Sequence, residues 1–195
     1  MYQFVHIPKT GGSALQSLFR KEEMIQTGPF HNLRCAYTYY TYIAVVRDPV
    51  SRFISIYRFW KYGTKKYNRD HHFTSKFKNF TIKDFIEGFK TDPRMFVYSH
   101  TIEDHFRPQV YWVPREFWAN TVVVRYQHDL TPSIQKLFEY IGTSSNIEME
   151  RKNVSLGAPE TLDEIDLAWI HEYFRADFEL WDAVNEHPEL FKKVI

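Results

Sequence analysis

The sequence predicts a single α/β domain over residues 1–195, with a central, mainly parallel sheet flanked by helices. Three features predict it. Residues 2–7, 42–46 and 121–125 are short runs of apolar, largely β-branched or aromatic residues, two of them continuous in the manner of strands buried on both faces. Each is followed by a segment whose apolar residues recur at helical spacing. A chain of 195 residues is long enough to bury one sizeable core.

The elements follow in order. The first strand, residues 2–7, ends at Pro8, and residues 12–22 form a helix with Leu15, Leu18 and Phe19 on one face. Gly28-Pro29 is a turn. The run Tyr42-Ile43-Ala44-Val45-Val46 is the second strand, broken by Arg47-Asp48-Pro49. Pro49 suits the first turn of a helix, and Phe53, Ile56, Tyr57 and Trp60 give that helix a core face. Residues 63–80 are polar, basic and without clear period, and they read as a candidate lid or acceptor loop. Thr81-Ile82-Lys83-Asp84 resembles a capping box and opens a helix through Phe89. Residues 95–118 are irregular and aromatic, and 121–125 are a further buried strand. Thr131-Pro132 opens a helix through Tyr140 that Gly142 stops. Thr161-Leu162-Asp163-Glu164 caps a final long helix reaching about Val184.

Composition narrows the function. Net charge is +1, so bulk charge does not make the chain a nucleic-acid binder. Residues 47–78 nevertheless hold nine Lys or Arg against Asp48 and Asp70, a stretch that could face an anionic ligand. Aromatic residues make up 18%, an excess that suits a packed core and also a groove that stacks sugars, with Trp112 and Trp118 as candidates. Cys35 is the one cysteine; it permits no internal disulfide and reads as a small buried side chain. No apolar run reaches the ~18–20 residues of a membrane span. The expectation is a cytoplasmic chain without a membrane segment, with a removed N-terminal anchor left open.

Two stretches carry chemistry. In Pro8-Lys9-Thr10-Gly11-Gly12-Ser13-Ala14 a strand runs through a glycine turn into a helix. Amides at such a turn favour an anion, Lys9 adds a charge, and Thr10 and Ser13 add hydroxyl donors. The lysine precedes the glycines, so the stretch is not the nucleotide P-loop G-x-x-x-x-G-K-[ST]. The second stretch is Arg47-Asp48-Pro49-Val50-Ser51-Arg52-Phe53-Ile54-Ser55. Arg47 at a strand end and Ser55 two turns into a helix could converge on one phosphate, to which the guanidinium fork donates two parallel bonds. Arg52 either faces the same way or is solvated.

The two stretches together, in this order, resemble the sulfotransferase superfamily, and most closely its carbohydrate branch with the heparan sulfate 2-O- and 6-O-sulfotransferases. Phe4-Val5-His6-Ile7-Pro8-Lys9-Thr10-Gly11-Gly12-Ser13 is similar to the 5′-phosphosulfate loop. Val46-Arg47-Asp48-Pro49-Val50-Ser51-Arg52-Phe53-Ile54-Ser55 is similar to the 3′-phosphate motif. Val124-Arg125-Tyr126-Gln127-His128-Asp129-Leu130 resembles a further family segment, with Gln127 where an acid is usual.

The resemblance implies a P-loop-NTPase-like fold and transfer of the sulfonyl group of 3′-phosphoadenosine 5′-phosphosulfate (PAPS), leaving adenosine 3′,5′-bisphosphate. It implies Lys9 at the bridging oxygen, the backbone of Thr10, Gly11, Gly12, Ser13 and Ala14 on the 5′-phosphate, and Arg47 with Ser55 on the 3′-phosphate. It implies His31, the only histidine between the two motifs, as general base. His105, Arg107 and Gln109 would lie near the acceptor, with His72 a further contact; His105 ranks second as base, and His6 reads as structural. The acceptor would be a hydroxyl-bearing glycan, acidic if the basic stretch faces it. No metal is needed, and Asp70-His71-His72 is too compact to be a persuasive site. Two alternatives stand beside this reading. One is a nucleotide kinase-like phosphotransferase, and the other a non-catalytic relative that binds a nucleotide or glycan.

Overall fold

The computed structural model describes residues 1–28, 34–63, 76–98, 101–102, 104–143 and 160–195. Five strands form one sheet: β1 (Tyr2–Val5), β2 (Ile25–Thr27), β3 (Thr41–Val46), then the fourth and fifth members at Thr121–Arg125 and Lys193–Val194. A two-stranded antiparallel ribbon, β4 (Val97–Tyr98) and β5 (Thr101–Ile102), lies between them in sequence, so the later sheet strands are β6 and β7. The sheet order is β2-β1-β3-β6-β7, and every pairing is parallel. The α/β expectation therefore holds, with the sheet wholly rather than mainly parallel.

Helices among the described residues include α1 (Gly12–Phe19), α2 (Pro49–Tyr62), α3 (Ile82–Thr91), α4 (Thr131–Ile141), α5 (Glu164–Tyr173) and α6 (Arg175–Glu186). Thr81 and Asp84 close a reciprocal capping box at the start of α3, as their spacing predicts. Gly142, with φ of 79°, ends α4 in a left-handed turn, and the Thr143 amide returns to the Phe138 carbonyl. The predicted long helix over 161–184 is corrected to two, α5 and α6, separated at Phe174. Its cap is Asp163, which accepts from the Asp166 amide, rather than Thr161. The first helix ends at Phe19 and gives way to turns before β2.

The described chain gathers into two compact units. One comprises Met1–Asp48, Pro108–Lys152 and Ala176–Ile195, and the other Pro49–Arg107 with Asn153–Arg175. The first holds the sheet. Alternate residues of each central strand point to opposite faces. Phe4, Ile43, Val45, Val122 and Val124 meet Leu15 and Phe19 of α1 and Ile134, Leu137 and Phe138 of α4. On the other face, Val5, Tyr42, Ala44, Val46 and Val123 meet Trp112, Val113, Trp118 and Leu180, Ala183 and Val184 of α6. Burial on both faces is why the strands read as unbroken apolar runs. Trp112 and Trp118 are thus core side chains, the commoner of the two fates open to them from the sequence.

The second unit has an aromatic core. Phe53, Tyr57 and Trp60 of α2 meet Phe77, Phe85, Phe96 and Phe106 in edge-to-face, stacked and tilted pairs. Phe77, in the last part of the 63–80 stretch, is fully buried there; residues 64–75 of that stretch lie outside the described residues. No helix among the described residues is long and apolar enough to cross a membrane.

Cys35 sits in the sheet core with its amide bonded to the Trp112 carbonyl, and burial pushes its thiol up to about 12. The folded state therefore holds the thiol proton more tightly than the unfolded state does. Its contribution to stability is complete below the ordinary thiol range and is lost as pH climbs through that range toward 12. Iodoacetamide at pH 8 is expected to leave Cys35 unmodified in the native protein and to alkylate it once denaturant unfolds the chain, read by mass spectrometry. Rapid native alkylation would contradict its burial.

Candidate functional site

The order β2-β1-β3 places a change of winding direction between β1 and β3. In parallel sheets ligands bind beyond the carboxyl ends of strands at such a point. The register Val5↔Ala44 brings both strands out at the same edge of the sheet. Lys9 follows one of them and Arg47 the other.

The Lys9 turn is strained and braced. Lys9 has φ of 67° and Gly11 φ of 84°, both in the left-handed region. The Thr10 hydroxyl, buried, donates to the Ile7 carbonyl at 2.8 Å. That hydrogen bond corrects the expectation for the Thr10 side chain, which braces the turn rather than donating outward; its amide remains part of the loop. The Gly11 carbonyl accepts from the amides of Ala14 and Leu15 at 3.2 and 3.4 Å. Helix geometry leaves the amides of Gly12 and Ser13 without an intrahelical acceptor, and no acid sits in the first turn of α1. The helix N-terminus is the positive end of its dipole, an environment that suits an anion.

Gly12 is required by its neighbour. A Cβ there would lie 2.0 Å from Cδ2 and 2.3 Å from Nε2 of His6. His6 is buried, as its structural reading requires.

Arg47 ties the two strand ends together. Its Nη1 donates to the Lys9 carbonyl at 3.0 Å, and its guanidinium carbon lies 4.3 Å from the centre of the Tyr126 ring. Tyr126 was not singled out from the sequence. The signal was present in the pairing: the register Val46↔Arg125 sets residue 126 beside residue 47.

A model described as the Sulfotransferase family matches residues 4–182. The chain belongs to the sulfotransferase family. No curated protein matches it. Membership makes the protein a transferase of the sulfonyl-transferring class and favours that chemistry over a kinase-like phosphotransferase.

In this sulfotransferase the remaining expected residues divide. Ser55 lies half-buried on α2 in the second unit. Arg52, on the same helix, is buried, and its Nη2 donates to the carbonyls of His105 and Arg107 at 3.1 and 2.9 Å. It is neither solvated nor turned toward an anion, because two backbone carbonyls hold it. His105 is half-buried with its ring stacked on Phe59 at 5.0 Å. The Arg107 side chain pairs with Asp104 at 3.0 Å. Gln109, expected among the acceptor contacts, is fully buried and bonded through both ends of its amide to the Arg47 backbone, which corrects that assignment. His31 and His72 lie outside the described residues. Among the described residues no cluster of His, Cys, Asp and Glu suits a metal ion.

Gly12→Ala is expected to destabilise the sulfotransferase by about 1–3 kcal/mol, because the imidazole must move from a packed site. Denaturant unfolding of Gly12→Ala, His6→Ala and the double variant checks this. In the double variant the loss should fall clearly short of the sum, and strict additivity would show that His6 is not what excludes a side chain.

Proposed function

We propose that this sulfotransferase uses PAPS and transfers its sulfonyl group to a hydroxyl of a carbohydrate, in the manner of the heparan sulfate branch that its two motifs resemble. The observation that carries the proposal is the pairing of Lys9 and Arg47 at adjacent parallel strand ends, beside the open amides of α1. These groups fit a ligand with two separated anionic ends. When bound, PAPS supplies an activated sulfonyl group on a phosphate leaving group.

The chain's own residues would then divide the work. The backbone of Thr10, Gly11, Gly12, Ser13 and Ala14 holds the 5′-phosphate. The Lys9 ammonium faces the bridging oxygen and offsets the negative charge that builds as the sulfur–oxygen bond breaks. Arg47 and Ser55 hold the 3′-phosphate, which ATP lacks. A charge-assisted hydrogen bond of this kind contributes about 1.5–3 kcal/mol. His31 takes the proton of the attacking hydroxyl as the new sulfur–oxygen bond forms in line, a role proposed from its place between the two motifs. His105, Arg107 and His72 are the proposed acceptor contacts. Apart from Arg47 and the buried Arg52, the seven other basic residues over 47–78 favour an acidic glycan.

Isothermal titration calorimetry tests the cofactor class. Adenosine 3′,5′-bisphosphate should bind tightly and ATP with Mg²⁺ weakly. Arg47→Ala should remove the preference for a 3′-phosphorylated nucleotide. A preference for ATP would restore the kinase-like alternative, and binding of neither nucleotide would point to a non-catalytic relative.

Lys9→Ala should slow release of adenosine 3′,5′-bisphosphate from PAPS at least ~100-fold, with a desulfated heparan oligosaccharide as acceptor. A near-normal rate would remove Lys9 from the leaving side.

A further inference from the structure

We infer that Gln109 is the positioning residue that aims Arg47, and through it sets the selectivity for a 3′-phosphorylated nucleotide. The inference rests on the proposed reading of Arg47 as a 3′-phosphate contact.

The β3 ladder stops at Val46, whose carbonyl accepts from the Tyr126 amide at 2.8 Å. Arg47, one residue further, bonds a single side chain through both its amide and its carbonyl. Gln109 Oε1 accepts from the Arg47 amide at 3.0 Å, and Gln109 Nε2 donates to the Arg47 carbonyl at 2.8 Å. A primary amide is the one uncharged side-chain group that supplies an acceptor and a donor in the geometry of a peptide unit. It extends the ladder by one residue where no strand is available. Fixing both polar groups of Arg47 fixes the direction of its Cα–Cβ bond. The guanidinium is then set against the Lys9 carbonyl and the Tyr126 ring.

Gln109 is itself held. It is fully buried, it opens the short turn Gln109–Tyr111, and its carbonyl accepts from the amides of Trp112 and Val113. The next amide, that of Val110, donates at 3.1 Å to the carboxylate of Asp177, a buried residue of α6. A bond network thus runs from α6 through Gln109 to the backbone that carries Arg47, all within the sheet unit.

The test is the ratio of two dissociation constants, adenosine 5′-phosphate over adenosine 3′,5′-bisphosphate, measured by calorimetry. In the native protein the ratio should be large, and Arg47→Ala should collapse it. Gln109→Met keeps the side-chain length and loses both bonds. It should lower the ratio roughly ten- to hundredfold, the scale of one charge-assisted bond, while adenosine 5′-phosphate binds nearly as before. Gln109→Glu keeps an acceptor for the Arg47 amide and loses the donor to its carbonyl when ionised. It should also lower the ratio, and it serves should Gln109→Met not fold by circular dichroism. A native ratio near one would overturn the Arg47 reading and this inference with it. A large native ratio, collapsed by Arg47→Ala but unchanged in the folded Gln109 variants, would overturn this inference alone. Equal weakening of both nucleotides would do the same, since that is what a merely structural glutamine gives.

Discussion

One hydrogen bond, from the Arg47 guanidinium to the carbonyl of Lys9, joins the two loops on which the site is built. The Lys9 turn is held from two directions. Its lysine, at φ of 67°, adopts a left-handed conformation that costs a side-chain-bearing residue energy, whereas the glycine at 84° adopts it freely. Thr10 supplies a hydrogen bond from within and Arg47 supplies one from the neighbouring strand end. The guanidinium carries its five donors in a fixed, planar fork, and one of them is set on the Lys9 carbonyl. A single cation thereby shapes one loop while standing at the end of the other, and both roles depend on β1 and β3 being adjacent and parallel.

The two units solve burial differently. The sheet unit packs mainly aliphatic side chains on both faces of β1, β3 and β6, which gives its strand ends a stiff support. The second unit packs rings against rings, and this is where much of the aromatic excess resides. Within it Arg52 is buried on α2 and fastens the carbonyls of His105 and Arg107. Burying a guanidinium is costly unless its donors are satisfied, and these carbonyls satisfy part of it. The segment that follows, Pro108 and Gln109, returns to the sheet unit and fastens Arg47.

The parallel strands were legible because two-sided burial leaves an unbroken apolar signature that composition alone can show. The turns after β1 and β3 were legible because proline and glycine at the end of an apolar run break a strand. The edge strands β2 and β7 were not, since three and two residues make no run. Nor was the break at Phe174, where no glycine or proline stands between residues 160 and 186 and the ring packs against Phe53 and Tyr173. Arg52 and Gln109 were misread for a common reason. Their partners lie 53 to 62 positions away in the chain, and a polar residue gives no local sign that it will be used on distant backbone. Arg52 read as either facing the anion or solvated, and Gln109 as an acceptor contact beside His105.

The sheet's brevity at its rims has its own consequence. A strand at the edge of a sheet offers unpaired amides and carbonyls on which a second chain can grow. Among the described residues the central strands are paired on both sides, and the rims of the sheet are β2 and β7. A template of two or three residues is too short to recruit a neighbour firmly. The same economy that hid these strands from the sequence also leaves little foothold for cross-molecular β pairing, so the protein can keep an unbroken apolar sheet without courting fibrous aggregation.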